Sequence, residues 1–108
     1  MKQFTVALTD GGVQDLTAID EWVSSSKGPH PAERLVDALL DRIDALARLP
    51  NRGSALPEFH GLVYPDYRQV VCRGYRIIYR IDRETVYVLA VIHQRRDIAS
   101  AMLSRLQE

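Results

Sequence analysis

Residues 67–97 read YRQVVCRGYRIIYRIDRETVYVLAVIHQRRD, and this stretch decides the fold. Residues 67–72, 75–81 and 85–92 are rich in Val, Ile and Tyr, the side chains that fit a pleated, half-buried surface. Arg73-Gly74 and Asp82-Arg83-Glu84 lie between them with turn-forming residues. The spacing predicts an antiparallel meander of three strands. In the middle strand Ile77, Tyr79 and Ile81 share one face, while Arg76, Ile78 and Arg80 share the other. The last strand, VYVLAVI, is almost wholly apolar, which predicts burial on both faces and a central place in the sheet. From Asp97 a helical pattern resumes through Ile98, Ala101, Met102 and Leu106.

Upstream, residues 2–8 alternate loosely, with Phe4, Val6 and Leu8 on one face of a short predicted strand. Thr9 then suits a helix N-cap with Asp10 in the first turn, although Gly11 and Gly12 weaken the start and move the expected first turn later. Val13, Leu16, Ile19 and Val23 recur at helical spacing with Trp22 beside them, and Gln14, Asp15, Asp20 and Glu21 form the opposite, polar face. The run Ser24-Ser25-Ser26-Lys27-Gly28 ends this helix, and Pro29-His30-Pro31 opens the next, with Pro31 near its first position. Leu35, Val36, Leu39, Leu40, Ile43, Leu46 and Leu49 give the second helix the strongest periodicity in the chain, and Pro50-Asn51-Arg52-Gly53 stops it. Two helices on a short linker form an antiparallel hairpin that must lay its apolar stripes on a sheet. Residues 51–66, with Pro57, Gly61 and Pro65, read as a long loop. The expected architecture is α+β: an N-terminal strand, an antiparallel helical hairpin, a three-stranded antiparallel meander and a short C-terminal helix, in a single domain over residues 1–108.

Charge is unevenly spread. The chain is formally neutral, yet residues 1–66 carry six basic against ten acidic side chains, and residues 67–97 carry seven against three. Those seven are all arginines: Arg68, Arg73, Arg76, Arg80, Arg83, Arg95 and Arg96. Arginine suits bidentate contact with carboxylate or phosphate, so the polarity predicts an acidic partner, although each arginine alone also reads as a solvated strand residue. No apolar run approaches the ~20 residues that span a bilayer, and the start MKQFTVALTDGG lacks a signal-peptide core, so no membrane is expected and the cytoplasm is the expected location. The single cysteine, Cys72, excludes an internal disulfide and reads as a small apolar strand residue. His30 and His60 show no metal-ligand spacing with each other or with Cys72, there is no phosphate-binding glycine loop, and no metal or cofactor is expected.

The ordered set LTDGGVQDLTAIDEWV, LLDRIDALARLPNRG, LPEF, YRQVVCRGYRIIYRI and VYVLAVIHQRRD resembles the RelE/ParE family of toxins from type II toxin–antitoxin systems, over nearly the whole chain. The resemblance implies a small toxin with a mostly antiparallel sheet packed on a helical hairpin. It would act in systems such as plasmid stabilization, bound to a cognate, ParD-like antitoxin in a hetero-oligomer.

Two chemistries divide that family. RelE-like members cut messenger RNA in the ribosome, which requires activation of a ribose 2′-hydroxyl, cations on the phosphate and an acid for the leaving oxygen. The resemblance gives that work to lysines on the first meander strand, an arginine in the YR-x-x-Y segment, an arginine after the last strand and a later tyrosine. Arg76 and Arg95 match the arginines; the lysine positions read Tyr67, Arg68, Gln69, and the tyrosine position falls on Ala101. His93 is the one other group with a pKa suited to proton transfer, and it also reads as a packed residue at a strand end. If the protein were a nuclease, Arg76, His93 and Arg95 would be its catalytic candidates. ParE-like members instead poison DNA gyrase without known catalytic residues. The incomplete nuclease set favours this branch, and a non-enzyme, with Arg68, Arg76, Arg95 and Arg96 as target-binding residues. A further alternative is an inert module that only captures its antitoxin. Trp22, Leu35 and Leu39 are candidates for the antitoxin surface, and they also read as plain core, Leu35 and Leu39 above all.

Overall fold

A computed structural model of the chain describes residues 3–59 and 67–105. Lys2, His60, Gly61, Pro65 and Leu106, which figure in the sequence reading, lie outside the described residues. The elements run β1 (Thr5–Leu8), α1 (Asp10–Lys27), α2 (Pro29–Asp44), β2 (Ser54–Ala55), β3 (Tyr67–Cys72), β4 (Tyr75–Asp82), β5 (Thr85–His93) and α3 (Ile98–Arg105). This is the expected α+β order, with the helical hairpin between the first strand and the meander.

The sheet has five strands in the order β1-β5-β4-β3-β2. The meander strands pair antiparallel, and β1 lies parallel to β5 with Thr5 opposite Thr85 and Leu8 opposite Val88. β5 is thus an interior strand, as its apolar run requires. The two-residue β2 is a correction to the loop expected there: Ser54 and Ala55 pair with Gln69 and Arg68. A two-residue strand carries too little pattern to be read from sequence. Both hairpin turns are tight two-residue loops. Arg73 and Gly74 both take positive φ, 53° and 83°, as a type I′ turn demands, and Arg83 takes φ 57° at the other end of the sheet.

The helical hairpin covers one face. Leu16, Ile19 and Val23 of α1 and Ala32, Leu39 and Ile43 of α2 pack on Val70, Ile77, Tyr79, Val86, Val88 and Val91. On the second face α3 and the 3-10 turn Pro57–Phe59 lie over the sheet, where Ile98, Met102 and Leu56 meet Tyr67, Ile78, Leu89 and Ile92. The middles of β4 and β5 are therefore buried on both faces.

Two expectations at the helix ends change. α1 starts at Asp10, not later, because Gly11 and Gly12 are buried against the sheet. A Cβ on Gly12 would stand 2.7 Å from the Val88 carbonyl, so the weak helix former there is what lets helix and strand backbones approach. Thr9 caps the helix by accepting from the Gly12 N–H at 3.3 Å, and its backbone N–H donates to the Val88 carbonyl at 3.0 Å. α2 starts at Pro29 and ends at Asp44, earlier than its apolar stripe suggests, and a 3-10 turn over Ala45–Ala47 carries Leu46 into the core.

Candidate functional site

The residues singled out by chemistry do not meet in one place, and the reason starts with a single extra residue in β5. Tyr79 pairs with Val88 and Ile78 with Ala90, so Leu89 is a β-bulge. Before it, Val86 and Val88 face the helical hairpin; after it, Leu89 and Ala90 both face α3 and the alternation restarts one residue late. Strict alternation would have put His93 on the face of Arg76. The bulge puts His93 opposite Tyr75, on the hairpin side, with the two rings edge to face at a centroid distance of 5.3 Å. His93 Nδ1 accepts the Arg95 backbone N–H at 3.2 Å, which shapes the tight exit from the strand.

Arg76 lies on the other face and is only 8% exposed. Its guanidinium makes a bidentate pair with Glu58, at 2.7 Å from Nη1 and 2.8 Å from Nη2, and its Nε–H donates to the Gln69 side chain. These hydrogen bonds hold the Glu58 carboxyl below the usual glutamate range. A loop 3-10 turn is thereby tied to the middle of the sheet. The arginine that resembles a phosphate clamp already has its carboxylate.

Arg68 lies on the hairpin side, where its Nη1 donates to the Gly53 carbonyl at 3.2 Å and to the Asn51 carbonyl at 3.5 Å. Beside it the buried Tyr79 hydroxyl donates to the Pro50 carbonyl at 2.7 Å and accepts the Gly53 N–H at 2.9 Å. Arg68 and Tyr79 thus fasten the segment that leads from α2 to β2. Arg80 lies over the Tyr87 ring at 4.5 Å and within 3.7 Å of Asp82.

Arg95 and Arg96 are exposed on the loop between β5 and α3. Asp97 follows them as the N-cap of α3: its carboxylate accepts from the Ser100 hydroxyl at 2.7 Å and the Ser100 N–H at 3.3 Å, which lowers its pKa. With Arg73 on the β3–β4 turn, at the same end of the sheet, these arginines form the solvent-facing part of the cationic concentration. Arg83 lies at the other end, on the β4–β5 turn.

Of the apolar candidates, Leu39 is fully buried and belongs to the core. Leu35 is half-buried at the edge of that core, and Trp22 is 66% exposed. Trp22 and Leu35 share a hollow of about 410 Å³ with Lys27, Pro31, Arg73 and Tyr75.

Sequence reading missed the pair Asp15–Arg105. Asp15 was expected on a solvated helix face. It instead turns to the open edge of β5 beyond Val88, where β1 has ended, and accepts the Val91 N–H at 2.9 Å. Arg105 of α3 grips the same carboxylate at 2.7 and 2.8 Å and donates to the Leu89 carbonyl at 3.0 Å. The two side chains satisfy the bulged strand edge and lock α3 down. Residues 90 positions apart give no local signal. Among the described residues there is no group of His, Cys, Asp and Glu suited to a metal ion, and no helix is long and apolar enough to cross a membrane.

Residues 6–98 match the family model for the ParE toxin of the type II toxin–antitoxin system parDE. No curated protein matches the chain. Among solved structures, the chain is similar to one of the chromosomal ParDE toxin–antitoxin system from P. aeruginosa, with a TM-score of 0.70 and 18% identity over 84% of this chain and 96% of that one. It is also similar to a chain of the toxin–antitoxin complex RelBE2 from Mycobacterium tuberculosis, with a TM-score of 0.62 and 25% identity over 84% of this chain and 98% of that one. The chain belongs to the ParE toxin family and is the toxin of a type II toxin–antitoxin system.

Proposed function

We propose that this toxin acts as a gyrase inhibitor, by binding rather than by cutting RNA. The observation that carries the reading is the dispersal of the nuclease candidates. General acid–base cleavage needs a proton carrier and a phosphate clamp within hydrogen-bond reach of one substrate. Arg76 is spent on Glu58 on the α3 side of the sheet, and His93 packs edge to face against Tyr75 on the hairpin side. Among the described residues, the side chains that bind Arg76 are Gln69 and Glu58, neither of which is a lysine or a tyrosine.

The target contacts in this reading are Arg95 and Arg96, whose side chains are exposed and form no ion pair among the described residues. They would meet acidic protein surface or DNA phosphate in the gyrase–DNA complex, through long-range attraction and bidentate contact. Arg68 and Arg76 hold loops to the sheet, so their substitution acts through folding. The protein works as a partner of a cognate antitoxin, which keeps it inactive until released.

Purified toxin is tested with gyrase in a supercoiling assay, beside a ribosome-dependent mRNA cleavage assay. Inhibited supercoiling with intact mRNA is expected, and Arg95→Glu/Arg96→Glu should abolish it in a folded protein. Messenger RNA cutting that requires His93 or Arg95 would reverse the reading in favour of the RelE-like chemistry. Unhindered growth on expression without antitoxin would leave only the inert, antitoxin-capturing module.

A further inference from the structure

Trp22 is the only tryptophan in the chain, and it stands in solvent on α1. Lys27, Arg73 and Arg96 line the hollows on either side of it and form no ion pair among the described residues. Asp15, the one carboxylate among the described residues of those linings, is held by Arg105 and the Val91 N–H. Trp22 is thus an aromatic knob in a cationic collar. Burying an indole is worth much to a soluble protein, so a knob left in solvent marks a contact surface.

A matching hole lies on the same molecule. Between α1 and α2 a groove of about 340 Å³ has an apolar floor of Leu8, Val13, Val36 and Leu40. Val13 is 49% exposed, so this floor is as incompletely covered as the knob. Asp20, Glu33 and Asp37 form the rim; all three are exposed, and none is in an ion pair among the described residues. No basic side chain is among the described residues that line the groove. The volume lies at the small end of ligand-sized cavities and is ample for one indole. The rim carboxylates can accept the indole N–H, which a wholly apolar hole would leave unsatisfied.

Position on the helix decides the symmetry. At about 3.6 residues per turn Trp22 points about 200° away from Asp20, so knob and hole lie on opposite sides of α1. A molecule cannot fill its own groove with its own Trp22, and a single twofold pair cannot seat both contacts. A knob in the next copy's hole is a heterologous contact, which leaves a free knob at one end and a free hole at the other.

We propose that free toxin molecules associate head to tail. The Trp22 knob of one copy enters the acidic α1–α2 groove of the next, with Lys27, Arg73 and Arg96 set against Asp20, Glu33 and Asp37. Charge selects a second copy as the occupant: the rim repels nucleic acid, the collar complements the rim, and a formally neutral chain has no net charge to keep its copies apart. Each contact also occupies an Arg96, so association withdraws a proposed target contact as toxin accumulates. The association itself does not depend on which target the toxin has.

Two complementary variants test it. Glu33→Lys/Asp37→Lys spoils the hole and keeps the knob; Trp22→Ala removes the knob and keeps the hole. All three positions are exposed. In sedimentation velocity, the mean mass of the parent toxin should grow beyond a dimer as concentration rises and fall back in about 0.5 M salt, which screens the rim contacts. Each variant alone should associate at least about tenfold more weakly. Mixed, the two should form a one-to-one dimer that grows no further. The only Trp22 in that mixture belongs to the hole variant, and its emission should shift to the blue and gain protection from acrylamide. Circular dichroism checks folding, and the milder Glu33→Gln/Asp37→Asn should weaken association in the same direction. A monomeric parent, a parent that stops at a dimer, or a mixture that stays apart overturns the proposal. A labelled peptide of Leu, Ala and Lys that binds a monomeric parent, and not the hole variant, assigns the groove to a basic segment of another protein instead. Gyrase enters none of these readouts, so a toxin that associates head to tail and spares gyrase refutes only the choice of target.

Discussion

Replacing Glu58 by Ala should cost more stability than replacing Arg76 by Met, although the two residues form one ion pair. Arg76 has a side chain only 10% exposed, whereas that of Glu58 is 29% exposed. Losing Glu58 strands a guanidinium inside the sheet face with Gln69 as its remaining partner. Losing Arg76 leaves a carboxylate that can turn to water, and Met refills the volume around the arginine stem. Breaking a fully buried pair by removing one partner costs about 3–5 kcal/mol, so a partly screened pair should lose about 2–3 kcal/mol with Glu58→Ala and about 1 kcal/mol or less with Arg76→Met. A domain of this size holds about 5–15 kcal/mol in all, so the larger loss is readily measured. Urea unfolding followed by circular dichroism should show the midpoint fall by about 1–3 M for Glu58→Ala at an m-value of about 1–2 kcal/mol/M. The double variant should restore part of the loss, since neither charge is then stranded. The reverse order of the two single variants would refute the reasoning. So would a Glu58→Ala protein that keeps its stability and gains toxicity, because Arg76 would then be a target-binding group masked by its carboxylate.

The same carboxylate should mark the acid limb of stability. Its folded pKa is lowered by the Arg76 hydrogen bonds, so its contribution is present above the ordinary glutamate pKa and fades as pH falls through the lowered value. The stability difference between parent and Glu58→Gln should therefore be full at neutral pH and shrink below about pH 4; a difference independent of pH speaks against the pair. Tyr79→Phe removes the buried hydroxyl that joins Pro50 and Gly53 and should cost about 1–3 kcal/mol in denaturant titration, with hydrogen exchange at Gly53 accelerated. Asp15→Ala should free the C-terminal helix from the strand edge, at a cost of about 1–3 kcal/mol, and raise exchange at the Val91 N–H in particular. Unaltered exchange at Val91 would show that this strand edge is protected without the side chain.

The resemblance and the residue patterns agree because they rest on the same local physics. Alternation at 75–81 and the apolar run at 85–92 specify two strands, the second of them interior, and helical stripes from Leu16 to Val23 and from Leu35 to Ile43 specify a hairpin that needs a sheet. The helix boundaries were less legible. Gly11 and Gly12 look like poor helix residues until the Val88 carbonyl arrives within contact distance of Gly12, a cause that lies 76 residues away.

By itself, then, the order of residues determined the α+β layering, the strands of the meander and the excess of arginine in the last third. Period and composition act within a few residues, and they are written along the chain. Only the tertiary structure decided what each arginine does. Arg76 is occupied because a glutamate 18 positions away folds back onto it, Arg105 because an aspartate 90 positions away reaches the same strand edge. His93 parted from Arg76 because one bulged residue at Leu89 reversed the parity of the strand, and parity decides which face a side chain joins.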